Sequence, residues 1–411
     1  MKNNIQVSLP RQPLLLLLCF VIVAVALSNA AQAQDWRFEP ILRAGLVVDD
    51  NPRLSPRTDE EIDLTGYLLD ARADIFYSYS DITSFSFEPR ALIRNYPDEP
   101  EFESNDFFLR STFRHRGRSS TFGFRVNYDQ QSVRTAERTD IDIDIEDPDE
   151  IPEDDTGRVG LDGNRSRWRI SPYWSYQFSN VSSMDVSIDY FDARYDEVFA
   201  LALIDYTDAR ISLGYRRAFS NITTGIVKAT GRRFEPDRIL NDNTGYGFLA
   251  GFEREMSEKT HLVALIGVEN TEQALGQTDA EVIGNITYTR NLETISMFAR
   301  YDRAVTASGS GTVELRNTLS VNFNRRLHER ISAGLGIRAY DARRVGDAPS
   351  IGDRDFVQLQ TTFRWYLSEA FVVEADYRYT ILDRSSAIGE RANANQVALW
   401  FVYQPNTTPR L

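Results

Sequence analysis

The sequence predicts an all-β fold: a transmembrane, antiparallel, up-and-down β-barrel of about 18 strands with no plug domain. Three observations carry that expectation. About 18 segments alternate apolar and polar residues with a period of two, which sends them to opposite faces of an extended backbone. The connections between these segments alternate between tight and long, and the chain opens on a secretory leader. A ribbon with one apolar and one polar face, repeated this often, suits closure within lipid, where every backbone N–H and C=O must find a partner strand.

The leader comes first. Lys2 and Arg11 precede an unbroken apolar run from Leu14 to Leu27, and Ala31-Gln-Ala33 follows as a small-residue cleavage site. The run is shorter than the ~20 residues a helix needs to span a bilayer, so residues 1–33 read as a signal peptide and 34–411 as the barrel. The single cysteine, Cys19, lies inside the leader behind three leucines, where a lipoprotein site would want small residues. No disulfide, thiolate metal site or lipid anchor is therefore expected. Of 46 cationic residues, Lys2 and Arg11 precede residue 34, which leaves 44 against 60 acidic ones and argues against nucleic acid as a partner. Only Lys2, Lys228 and Lys259 are lysines, so nearly every cation is an arginine, the residue that keeps its charge when partly desolvated and grips carboxylates with two N–H groups.

Alternation then places strands at 36–48, 64–78, 82–95, 104–117, 120–134, 165–178, 181–195, 203–219, 222–235, 243–256, 259–272, 280–290, 292–305, 313–326, 329–341, 354–367, 370–383 and 392–403. Tight connections fall at Ser80-Asp81, Arg118-Ser119, Asn180, Ser220-Asn221, Ser257-Glu258, Asn291, His328 and Ser368-Glu369, with longer ones between them. Short turns belong on the periplasmic side and long loops outside, which puts both termini in the periplasm and makes the strand count even. A β-propeller shares the hairpin spacing, but no blade motif recurs.

The faces follow from parity. Over 313–323, Val313, Leu315, Leu319, Val321 and Phe323 are expected to face lipid with Asn317 as the exception, while Glu314, Arg316, Thr318, Ser320 and Asn322 face inward. Over 84–94, Ser84, Ser86, Glu88, Arg90 and Arg94 face inward with only Leu92 out of place. Aromatics such as Trp36, Tyr77, Tyr128, Trp174, Tyr301, Trp365 and Tyr403 gather near strand ends as interfacial girdles, whereas Tyr96 and Tyr340 share the inward parity of Arg94 and Arg338 and fit a girdle least.

On the early strands the inward face collects Arg72, Arg90, Arg94, Arg110, Arg114, Arg116, Arg125, Arg167 and Arg169, with Asp70, Asp74, Glu88 and Asp129 among them. Two readings stand side by side: a track for an anionic solute, and a ladder of Arg–carboxylate pairs that stiffens the wall. The longest connection, 135–164, carries eleven acidic residues from Glu137 to Asp155 and reads as an acidic extracellular loop, solvated, cation-bridging to lipopolysaccharide, or folded into the pore as a constriction. His115, His261 and His328 lie on separate strands or turns, without the local partners that nucleophilic catalysis or a metal needs, so neither an enzyme, a cofactor nor a metal site is expected.

Trp36-Arg-Phe-Glu-Pro40 followed by Gly45-Leu-Val-Val-Asp-Asp-Asn51 resembles the start of the putative β-barrel porin 2 family of Gram-negative outer-membrane proteins. That resemblance implies an outer-membrane location and an association with exopolysaccharide, with polysaccharide export components as partners. The last strand also resembles the signal read by the barrel-assembly machinery, in which Gln396, Ala398, Phe401 and Tyr403 take the polar, small and paired aromatic positions. Two departures stand out: Ala398 replaces the usual glycine, and the chain runs on to Leu411. The resulting expectation is a monomeric conduit for an anionic polysaccharide or oligosaccharide, held in lipid and lipopolysaccharide, with a surface docking barrel or a small-solute pore as alternatives.

Overall fold

Alternation becomes a wall because each strand hydrogen-bonds to the next in the chain. The computed structural model describes residues 36–405 apart from 58–60, 80–81, 137, 139–162, 197–202, 238–241, 274–277, 346–352 and 385–389. The leader and the acids of the longest connection lie outside the described residues. The strands are β1 (Trp36–Asp49), β2 (Leu64–Tyr79), β3 (Thr83–Asn95), β4 (Ser104–Arg116), β5 (Ser120–Ser132), β6 (Asn164–Ser179), β7 (Ser182–Asp196), β8 (Tyr206–Ser220) and β9 (Thr223–Pro236). They continue with β10 (Asn243–Ser257), β11 (Thr260–Gln273), β12 (Thr278–Asn291), β13 (Ile295–Ser308), β14 (Thr312–His328), β15 (Ile331–Arg344), β16 (Arg354–Tyr366), β17 (Phe371–Arg384) and β18 (Glu390–Tyr403).

All 18 form one antiparallel sheet in chain order, and β1 closes it by pairing with β18 from Leu42↔Tyr403 to Asp49↔Gln396. An even, up-and-down, closed barrel whose short turns share one end with both chain ends is the architecture of the bacterial outer membrane. Four of the short turns are entered through a β-bulge, at Gln177/Ser179, Ala218/Ser220, Glu255/Ser257 and Arg326/His328.

The two faces separate as parity requires. Val397, Leu399, Phe401 and Tyr403 of β18 are exposed outward, and the intervening Ala398, Trp400 and Val402 are buried inside. Trp36, Trp174, Tyr301, Trp365 and Tyr403 are exposed at strand positions suited to a girdle, with the rings of Trp36 and Tyr77 4.6 Å apart. Tyr96, Tyr340 and Leu92 are buried inward, as their parity demands.

The extracellular half is filled from three directions. The β1–β2 connection places Leu54, whose φ of 48° lies in the left-handed region, in a cluster with Tyr340, Phe356, Leu382 and Ala394. The β5–β6 connection begins with one helical turn, Val133–Ala136, whose Val133, Arg134 and Ala136 are buried. The third insertion corrects an expectation. Val313 and Leu315, expected at the lipid face, are only 4% and 8% exposed and belong to a cluster with Ala193, Tyr206, Phe234 and Ile283. β13 parts from β12 near the extracellular end and β14 turns inward with it while staying paired with β15, so the face meant for lipid meets other strands instead.

Candidate functional site

The lumen is the candidate site, and its inward side chains divide by depth. Arg72, Arg90, Arg94, Arg110, Arg114, Arg116, Arg125, Arg167 and Arg169 all lie on the inner faces of β2 to β6, because each shares parity with buried neighbours such as Asp70, Asp106 and Asp129. Among the described residues, at least six of the nine take carboxylate partners. Arg90 grips Asp70 with Nε and Nη2, both at 2.9 Å. Arg94 pairs with Asp106, Arg72 with Asp74 at 2.7 Å, and Arg110 with Glu88 at 3.7 Å. Arg167 donates to Asp129 at 2.9 Å and Arg169 to Asp189 at 3.1 Å. For these six, the ladder reading describes the geometry.

The ladder also spans the closure. Arg43 lies between Asp70 and Glu374, and Glu374 accepts from Arg364 Nε at 2.6 Å, so charges alternate from β3 across β2 and β1 to β17 and β16. Arg43 stacks over the Trp400 ring at 4.4 Å from its centroid, which covers the strand between β1 and β17. Where only eight residue pairs join β1 to β18, this chain of charges adds a second link between their neighbours.

Arg114 and Arg116 are different. Both are exposed at the short-turn end of β4, and among the described residues neither forms an ion pair. Arg116 and Arg118 also border a polar recess at the periplasmic rim of about 530 Å³, with Arg216, Ser120, Ser182 and Thr224. An arginine that faces water without a fixed counter-charge keeps its field for a passing solute.

The turn Val133–Ala136 and Arg138 close in on the opposite depth. Arg138 reaches Asp49 at 3.0 Å and donates to the Pro52 carbonyl at 2.9 Å, while its own carbonyl accepts from Arg378 Nη1 at 2.8 Å. Arg134 donates to the Phe102 carbonyl at 3.0 Å and lies over its ring at 4.5 Å. Between this turn and the β1–β3 and β16–β18 wall remains a cavity of about 60 Å³ whose lining includes Arg94, Arg378, Gln360, Asp376 and Trp400. Glycine is required beside it: a Cβ on Gly66 would stand 2.5 Å from the Tyr96 ring and 2.4 Å from the Asn95 carbonyl oxygen.

Sequence parity did not single out Arg165, which at 1% exposure donates to Asp129 at 2.8 Å. Its spacing with Arg167 and Arg169 was the available signal. Arg134 and Arg138 carried none, since a strand end and a loop show no periodicity. On β18, Phe401 and Tyr403 point outward beside Phe371, and Gln396 points inward to Asp49 at 3.2 Å.

No protein-family model matches the chain, including any for the family that its opening residues resemble. No curated protein sequence matches it either. Among solved structures, it is similar to OccK2 (OpdF) of Pseudomonas aeruginosa in complex with glucuronate, with 9% identity over 90% of this chain and 98% of that one and a TM-score of 0.46. A BenF-like porin from Pseudomonas fluorescens Pf-5 has 8% identity over 90% and 99%, with a TM-score of 0.45. The siderophore receptor PirA from Pseudomonas aeruginosa has 9% identity over 89% and 80%, with a TM-score of 0.42. These are similarities between large barrels.

Proposed function

We propose that the protein is a passive outer-membrane pore for small anionic solutes. The observation that supports this most is the asymmetry of the lumen: a wet, short-turn half with Arg114 and Arg116 facing water, and an extracellular half narrowed by Leu54, the Val133–Ala136 turn and the β13–β14 tip. Three insertions at one depth suit a sieve for small molecules better than a duct for a polysaccharide. The paired arginines are proposed to hold the wall in shape, and Arg114 and Arg116 to set the preference for anions. Gln396, Ala398, Phe401 and Tyr403 are proposed as the strand handed to the assembly machinery, and lipopolysaccharide as the surrounding of the outer rim.

Purified protein in planar bilayers tests the reading. A conductance that favours chloride over potassium is expected, with the preference reduced in Arg114→Gln/Arg116→Gln. The absence of conductance, or a cation preference, would overturn it. Deletion within the acidic connection, residues 139–155, separates this pore from a barrel that only docks polymer at the surface: a pore keeps its current, whereas a docking barrel loses polysaccharide binding and has no current to keep.

A further inference from the structure

One rung of the wall is where its two neighbouring strands part. β12 and β13 are paired from Asn291↔Ser296 to Gly284↔Arg303, and the pairing stops there although β12 runs on to Thr278 and β13 to Ser308. β13 and β14 stay paired to their tip, from Ile295↔Arg325 to Ser308↔Thr312. The hairpin therefore parts from β12 on one side, while on the other β14 stays paired with β15 up to Glu314↔Arg344. Had the ladder continued in register, Ile283 would stand opposite Ala304 and Ala280 opposite Ala307.

Side chains show where the hairpin goes. Below the split, the odd-numbered face of β13 and β14 looks out, with Tyr301 and Leu319 exposed. Above it, Val305, Ala307, Val313 and Leu315 of that same face are buried against Tyr206 of β8, Phe234 of β9 and Ile283 of β12, all of which have inward parity. Hydrogen bonds join them too: the Arg210 side chain donates from Nη2 to the Val305 carbonyl at 3.1 Å, and the Ile204 N–H to the Gly309 carbonyl at 2.8 Å. An outward face packed on the inner wall of strands four and five places away puts the hairpin tip inside the barrel.

We infer that the upper β13–β14 hairpin is the gate of the pore. In the closed state, seen here, its apolar face covers the inner wall of β8 and β9. In the open state it swings back toward β12 together with the upper part of β15, to which it stays paired, completes the β12–β13 ladder and turns the same face to lipid. Both placements are physically self-consistent because period-2 alternation leaves one apolar face that either lipid or the luminal cluster can cover, and because edge N–H and C=O groups left by the split find partners on closure of the ladder. The other two insertions lack this property, since neither Leu54 nor the Val133–Ala136 turn belongs to a strand that could rejoin a neighbour. The gate rests on the reading of the barrel as a conduit.

Two engineered disulfides test it, because the chain's one cysteine, Cys19, precedes the barrel. Ala280→Cys/Ala307→Cys can close only when the ladder is complete, and Ile204→Cys/Gly309→Cys only when the tip is inside. Ile286→Cys/Tyr301→Cys, on a rung that is paired here, serves as the control. Expected on oxidation are cross-linking of all three pairs, a step up in single-channel conductance for the first pair and a loss for the second, each reversed by dithiothreitol. A conducting barrel in which the control cross-links but Ala280→Cys/Ala307→Cys does not, or in which either lock leaves the current unchanged, overturns the gate alone. Cross-linking without current in any form, wild type included, overturns the conduit and the gate with it.

Discussion

Arg303 donates from Nε to the main-chain carbonyl of Val282 at 2.7 Å, across the point where β12 and β13 part. The ladder ends two residues below that carbonyl, at Gly284↔Arg303, so a side chain takes over where the backbone lets go. The same guanidinium reaches Glu281 at 3.5 Å and Asn317 at 3.1 Å, which ties the free edge of β12 to β14 as well as to β13.

Replacing Arg303 by Ala should therefore lengthen the split. A charge-assisted hydrogen bond is worth about 1.5 kcal/mol at the low end, which corresponds to a roughly tenfold rise in amide exchange around residues 282–286. Hydrogen exchange in detergent measures it, and unchanged protection would show that the bond contributes nothing.

Asn317 gives a prediction opposite to the one parity alone would make. As a lone polar residue on an apolar face, it invites Leu as an improvement. In the structure its Oδ1 accepts from the Tyr301 hydroxyl and from Arg303, both at 3.1 Å. Asn317→Leu removes that acceptor from both donors, and should destabilise by about 1–2 kcal/mol. The midpoint of the heat-dependent gel shift reports the sign.

Asp129 holds two arginines, Arg165 at 2.8 Å and Arg167 at 2.9 Å. Asp129→Asn takes from the buried Arg165 the carboxylate it donates to, at a cost of about 3 kcal/mol. Asp129→Leu combined with Arg165→Leu should recover much of the loss in urea refolding, because the buried charge goes with its partner. Failure of the double variant to exceed the single one would argue that Arg167 is the partner that matters.

Gly66→Ala sets a methyl group against the Tyr96 ring and the Asn95 carbonyl. Overpacking of this kind costs about 1–3 kcal/mol, and Tyr96→Ala should relieve only the part due to the ring. The yield of folded barrel in a refolding titration checks both.

Strand existence was legible throughout: each of the 18 segments is observed, with ends displaced by three residues or fewer from the expected ones. Facing was legible wherever the wall is a single layer, as in the nine inward arginines and in Leu92, Tyr96 and Tyr340. Function within that facing was not. Whether Arg90 serves a solute or Asp70 depends on a carboxylate 20 residues away on the next strand, and only register brings the two to 2.9 Å. Arg134 and Arg138 were illegible for a different reason, since their partners Phe102 and Asp49 lie far off in sequence and no period links them.

By itself the sequence determined the ribbon: its strands, its two faces and the order of its turns, because alternation is a local property that each short segment carries independently. Only the tertiary structure decided which arginines are neutralised by neighbours and where the β13–β14 hairpin lies. Its apolar face reads identically whether lipid or the inner wall of β8 and β9 covers it, and burial is indifferent to which apolar surface supplies it.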